Sequence, residues 1–201
     1  MMLQNELKKK NLNLIKKNFL EHKNILSKTF NDKKLLSQIN DISNICINTI
    51  KNNKKIIFLG NGGSASDSMH LTAELVGRFK KNRIGLPAVD LVSNSSSITA
   101  IANDYHYKKI FSRQLEAIGN TGDLLFCFTT SGLSPNVIEA IKAAKKIKID
   151  TTVFTGNKKN YLTKFKDLQI VKVPSKDTAR IQEMHIIIGH IICEIVEDNF
   201  S

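Results

Sequence analysis

His70 and Glu74 stand four residues apart in a segment whose apolar residues repeat with helical spacing. That interval places both side chains on one helix face, ~6 Å apart along the axis. An imidazole beside a carboxylate can hold a metal ion, move a proton, or form an ordinary surface pair. Further on, Gln182, His185, His190 and Glu194 interrupt a strongly apolar stretch. Polar groups on a buried helix need partners, so these are interior hydrogen-bonding residues or members of a site. His185 is assigned to interior hydrogen bonding. Two other stretches suit an anion: Gly60-Asn61-Gly62-Gly63-Ser64, and Thr129-Thr130-Ser131-Gly132-Leu133-Ser134-Pro135. Each follows an apolar run and opens a helical pattern. Glycines let the backbone approach a ligand, and the first N–H groups of a helix lack internal partners. The first turn has neither the lysine of G-x-x-x-x-G-K-[ST] nor the spacing of G-x-G-x-x-G, which argues against a nucleotide. One such turn is ordinary. Two in one parallel sheet point to a phosphorylated small molecule.

The elements that position these residues alternate. Short apolar runs at 55–59, 87–92, 123–128, 151–155 and 168–173 read as buried parallel strands. Helical patterns at 64–79, 107–118 and 135–147 lie between them, Met69, Ala73, Val76 and Phe79 marking the first. Strand, helix, strand in repetition predicts a doubly wound α/β fold with a five-stranded sheet and ligands at the strand C-termini. Two helices precede it, at 3–29 and 35–52. The first carries Leu12, Ile15, Phe19 and Leu26 near one stripe and has no evident chemistry beyond packing, here or against another subunit. A last helix runs over 177–198 with Asp177 as its N-cap, apolar around most of its circumference.

The chain has 201 residues, 24% of them charged, and a net charge of +12 carried mostly by lysine. The lysines are scattered, which fits a solvated surface, and no nucleic-acid recognition motif accompanies them. Cys46, Cys127 and Cys193 are odd in number and far apart in apolar settings, as expected of reduced, buried thiols in a cytoplasmic protein. No apolar run is long enough to span a membrane.

Taken together, Gly60-Asn61-Gly62-Gly63-Ser64 with Asp67, His70, Glu74, Gly77 and Arg78 resembles the first motif of bacterial phosphoheptose isomerases, of the sugar isomerase (SIS) domain family. Ala102-Asn103-Asp104-Tyr105, then Thr130-Ser131-Gly132 with Ser134, then Ala179-Arg180-Ile181-Gln182-Glu183 with His190, are similar to its other motifs in order. The resemblance spans about 36–199. It implies a SIS domain over 36–201 with flavodoxin-like strand order, and an N-terminal helical segment over 1–35 for packing or oligomerisation. It implies conversion of sedoheptulose 7-phosphate to D-glycero-D-manno-heptose 7-phosphate, toward lipopolysaccharide heptose, in a cytoplasmic homotetramer with one zinc per subunit. Glu74 is then the catalytic base and His190 its acid partner. Asn61, Gly62, Gly63, Asn103, Asp104, Thr129, Thr130, Ser131, Ser134 and Gln182 bind substrate, and His70, Glu74, Gln182 and His190 occupy the zinc positions. Leu133 stands where the family has asparagine, the segment 155–160 lacks later glycines, and no catalytic side chain is missing. Other classes with this fold are a non-catalytic adaptor of the replication initiator and an isomerase or sensor for another sugar phosphate; retention of Glu74 and His190 favours the enzyme.

Spacing adds a constraint. Gln182 and His190 are eight residues apart, ~12 Å of rise on a straight helix, while zinc–nitrogen bonds are ~2.0–2.1 Å. Either the helix is irregular near Gln182 or the residues serve from different subunits. The all-round apolar helix favours the second, an obligate oligomer in which a neighbour supplies at least one of the four.

Overall fold

The computed structural model describes residues 2–201. α1 (Met2–Phe30) and α2 (Lys33–Lys51) precede β1 (Ile56–Gly60), α3 (Gly63–Val76), β2 (Ala88–Asp90), α4 (Ser95–Asp104) and α5 (Ile110–Ile118). β3 (Leu124–Phe128), α6 (Pro135–Ile147), β4 (Asp150–Thr155), β5 (Leu168–Lys172) and α7 (Thr178–Asp198) complete the chain. The five strands form one sheet in the order β2-β1-β3-β4-β5, every pairing parallel. This is the doubly wound, flavodoxin-like arrangement expected. The order reverses between β1 and β3, so the crevice beyond Gly60 and Phe128, paired in register, is where ligands bind in such sheets.

Strand residues alternate between two cores. Ile56, Phe58, Leu124, Phe126, Phe128 and Phe154 face α2, α3 and α7. Ile57, Leu59, Leu125, Cys127 and Val153 face α5 and α6, with Ile98 and Ile101 of α4 at the margin. Phe58 meets Phe126 edge to face at 5.3 Å, a preferred aromatic geometry. All three cysteines are free and buried. Among the described residues no helix is long and apolar enough to cross a membrane.

The structure departs from expectation in several places. α4 was not foreseen, because it buries no residue fully and its apolar set, Ile98, Ile101 and Ala102, covers a single turn; its signal is Asn94, whose side chain accepts the Ser97 N–H. The predicted 107–118 helix is a short 3-10 turn at Tyr107–Lys109 followed by α5. α3 stops at Val76 rather than 79, because the N–H groups of Phe79, Lys80 and Lys81 turn to the Glu197 carboxylate. Its buried face is Ser64, Ser68, Leu71 and Leu75, not the predicted stripe; Met69 and Val76 are 42% and 50% exposed. The α1 residues Leu12, Ile15, Phe19 and Leu26 are likewise exposed.

His185 is fully buried between Phe128 and Phe154, and neither ring nitrogen makes a well-formed hydrogen bond among the described residues, the Thr155 backbone being the polar group that approaches the ring; the satisfied interior bonding expected is not found. Burial pushes its pKa from 6.5 down to about 4, which the Thr155 backbone offsets only in part. The unfolded chain therefore binds a proton at a pH where the folded chain does not. Stability from this group is complete above about pH 6.5 and declines toward about pH 4. Urea denaturation across that window should show this decline, at up to ~1.4 kcal/mol per pH unit, and His185→Phe should remove that component of the slope.

Candidate active site

Two turns flank the switch point. After β1, Gly62 adopts a positive φ of 57°, and a Cβ built on it meets nothing within 4 Å, so this backbone faces open space. Gly63 opens α3 against Gln182 of α7: a Cβ there would lie 2.7 Å from the Gln182 amide oxygen. Gln182 Nε2 donates to Ser64 Oγ at 3.3 Å. Gln182 thus belongs to the glycine turn. After β3, the second turn is shaped by its own hydroxyls. Thr129 Oγ1 accepts the Gly132 N–H at 3.2 Å, and Ser131 Oγ accepts the Leu133 N–H at 3.1 Å. Ser134 occupies the N-cap position of α6 but makes no side-chain cap; its hydroxyl lies 3.5 Å from that of Thr129, a long contact within the same turn. Asn103 and Asp104 sit exposed at the end of α4, the Asn103 amide donating to Asp104 at 2.8 Å.

The third group lies further along α3. α3 and α7 run side by side in the same direction: Ser64 meets Gln182, Leu71 meets Gly189, and Phe79 meets Glu197. Between them, His70, Glu74 and His190 bring their ligand atoms within 4.8 Å of one another. His70 Nε2 is 3.0 Å from Glu74 Oε1, and the two imidazoles pack edge to face at 4.8 Å. α7 is a continuous 21-residue helix, so irregularity near Gln182 is ruled out. One chain therefore brings together three of the four predicted metal positions and leaves Gln182 ~12 Å back along α7. His190 Nε2 is buried without a partner. Burial, helped by nearby His70 and opposed by Glu74, lowers the His190 pKa. Asp67, one turn before His70, is raised to about 6 by burial, against the opposing effect of His70. An orphaned imidazole nitrogen, a second imidazole and a carboxylate are a donor set that fits zinc with an open fourth position.

Sequence reasoning missed Asn136 and Tyr107. Asn136 is 2% exposed and exchanges two hydrogen bonds with Asn61, while the Tyr107 hydroxyl donates to Asn61 at 3.2 Å. The available signal was a polar residue directly after Ser134-Pro135, where helix-opening side chains face the crevice.

The SIS domain family profile matches residues 18–156. A phosphoheptose isomerase of Burkholderia pseudomallei is 41% identical over 191 residues, covering 95% of this chain and 96% of that one. The chain belongs to the phosphoheptose isomerases of the SIS domain family. The structure of a phosphoheptose isomerase from Francisella tularensis superposes with a TM-score of 0.89 at 31% identity, over 94% of this chain and 98% of that one. That from Neisseria gonorrhoeae gives 0.86 at 33%, over 93% and 98%. The chain is an isomerase by family, and its fold is that of phosphoheptose isomerases throughout.

The cluster of this isomerase depends on close helix contact. A Cβ at Gly189 would lie 2.5 Å from Leu71 Cδ1. Gly189→Ala should destabilise the fold by ~1–3 kcal/mol through overpacking. Adding Leu71→Ala should give a double variant measurably more stable than the sum of the singles predicts, because the new methyl fills space that the leucine vacates; urea unfolding of the four proteins measures this.

Proposed function

We propose that this isomerase interconverts sedoheptulose 7-phosphate and D-glycero-D-manno-heptose 7-phosphate through an enediol. The observation that carries the reading is the convergence of His70, Glu74 and His190. Moving a carbonyl from C2 to C1 requires a proton to leave C1, O2 to gain a proton, C2 to be reprotonated and O1 to lose its proton. The Glu74 carboxylate takes the proton from C1 and returns it to C2. His190 exchanges protons with the oxygens as its acid partner. Thr130, Ser131, Ser134 and the free N–H groups opening α6 hold the phosphate, with Thr129 shaping the turn. The backbone of Asn61, Gly62 and Gly63, with Asn103 and Asp104, receives sugar hydroxyls. His70, Glu74 and His190 would hold one zinc per subunit, with Gln182 as a further ligand from a neighbour. When bound there, zinc would polarise the sugar carbonyl and stabilise negative charge on its oxygen. The buried free thiols support a cytoplasmic setting.

Distance argues that a complete site needs two copies. Glu74 follows Gly63 by eleven residues on α3, ~16 Å of rise. An extended seven-carbon phosphate spans only about 10 Å by ordinary bond lengths. The cluster is also bordered by exposed Met69, Val76 and Ile191, apolar side chains that a neighbour would cover. We therefore infer a homo-oligomer, a tetramer by family resemblance, in which the turns and Gln182 of one chain meet the His70–Glu74–His190 cluster of another.

Purified protein supplied with sedoheptulose 7-phosphate should form the aldose; a folded protein that does not would redirect the reading to another sugar phosphate. Glu74→Gln and His190→Gln should each lower kcat by ~10²-fold or more with the fold intact. Subunit exchange checks the sharing. Mixing Glu74→Gln with the Ser131→Ala/Ser134→Ala variant should restore activity, because some sites combine an intact cluster with an intact turn. Mixing Glu74→Gln with His190→Gln should not, because both residues come from one chain.

A further inference from the structure

The hydrogen bonds that join the glycine turn to the phosphate turn form a small amide ring. Asn61 Nδ2 donates to Asn136 Oδ1 at 3.0 Å, and Asn136 Nδ2 donates back to Asn61 Oδ1 at 2.8 Å. Two outer bonds complete it. The Val137 N–H donates to Asn136 Oδ1 at 3.0 Å, and the Tyr107 hydroxyl donates to Asn61 Oδ1 at 3.2 Å. Each amide oxygen thereby accepts two hydrogen bonds, its full capacity. Flipping either amide would set donor against donor, so the arrangement has one orientation. Asn136 is 2% exposed, and breaking the ring would leave its polar atoms without water. The geometry explains the placement: Gly60 and Phe128 are register partners on adjacent strands, so Asn61 and the start of α6 leave the sheet side by side. The 3-10 turn carrying Tyr107 reaches the same point from the chain following β2.

We propose that Asn136 and Tyr107 are positioning residues, which act through Asn61 to lock the glycine turn to the phosphate turn and so set affinity for the phosphorylated end of the substrate. The Asn61 side chain is then the hub of this lock, with one amide N–H left over, while its neighbours Gly62 and Gly63 present the free backbone. Loss of the lock would let the two turns separate and weaken phosphate binding more than turnover.

The proposal rests on the sugar-phosphate reading, and its test separates the two. Tyr107 is exposed, so Tyr107→Phe removes one hydroxyl without disturbing the core. It should raise KM for sedoheptulose 7-phosphate by ~3- to 10-fold, the equivalent of one net hydrogen bond, and lower kcat less, with Tm unchanged. In an Asn61→Ala background the same substitution should change KM no further. Asn136→Asp, which cannot donate to Asn61, should raise KM by a larger factor than Tyr107→Phe. The Kd of inorganic phosphate, measured by calorimetry on the same proteins, should follow the KM pattern. An unchanged KM and phosphate Kd in Tyr107→Phe, or an undiminished effect in the Asn61→Ala background, would overturn the proposal. If the wild type binds phosphate but does not turn over the heptulose, the substrate reading falls and the phosphate Kd values still decide on the lock. A wild type that neither turns over the heptulose nor binds phosphate would overturn both.

Discussion

α7 lies against α3 at a point where it carries no side chain. At Gly189 a Cβ would be 2.5 Å from one methyl of buried Leu71 and 2.8 Å from the other, so any other residue would force Leu71 or the helix spacing to give. The next residue is His190, and its reach to His70 and Glu74 depends on that closeness. The axial register is pinned at both ends. At one, Gln182 fills the space left by Gly63 and donates to Ser64. At the other, Glu197 accepts the N–H groups of Phe79, Lys80 and Lys81 and pairs with Arg83, both side chains essentially inaccessible. Burial alone would raise the Glu197 pKa, but those three N–H groups and the guanidinium outweigh it, and the carboxylate stays charged. Arg83 in turn donates to the carbonyls of Glu74, Leu75 and Gly77, closing the end of α3. A slip of one residue would rotate His190 by ~100° and dissolve the cluster.

Much of this was legible in the sequence because it rests on strong local signals. Continuous apolar runs at β1 and β3 bounded by Gly/Ser turns can hardly be anything but buried parallel strands, and the i, i+4 pair His70–Glu74 faces one way on any helix. Three things were not legible. α3 buries Ser64 and Ser68 beside Leu71 and Leu75, so counting apolar residues selected the opposite face. α4 packs at the edge of a core without a fully buried residue, and Ile98, Ile101 and Ala102 span one turn, too short a run for the period to stand out. The partners of Asn61, namely Asn136 and Tyr107, are distant in sequence: Asn136 meets it because β1 and β3 are neighbours, and Tyr107 arrives from the chain after α4. The place of Asn136 after Ser134-Pro135 marks a helix start, but the pairing itself leaves no local trace.

The face that misled the α3 assignment has a physical meaning of its own. Met69 and Val76 on α3, Ile191 on α7 and the stripe of α1 are exposed, and of the cluster His70 is exposed while Glu74 and His190 are half-buried. Leaving so much apolar surface in water is unfavourable at roughly 25 cal/mol per Å². A stripe with helical spacing and no cover within its own chain is what a second copy would bury. The same cover would exclude water from His70, Glu74 and His190, strengthening their electrostatic effect on a developing charge.

The turn after β3 keeps its shape without help from the side chain at position 133. Here the turn is closed without it: Thr129 Oγ1 takes the Gly132 N–H, Ser131 Oγ takes the Leu133 N–H, and Gly132 supplies the positive φ of 66°. The leucine side chain is half exposed and takes part in neither bond. The side chain at position 133 is therefore free to vary without changing the shape of the turn or the N–H groups opening α6. Leucine there puts an apolar group on the rim. If the site takes a phosphorylated sugar as proposed, the polar choice among such sugars would fall to residues beyond the turn, Asn103 and Asp104 at the end of α4 and the glycine backbone held by Asn61.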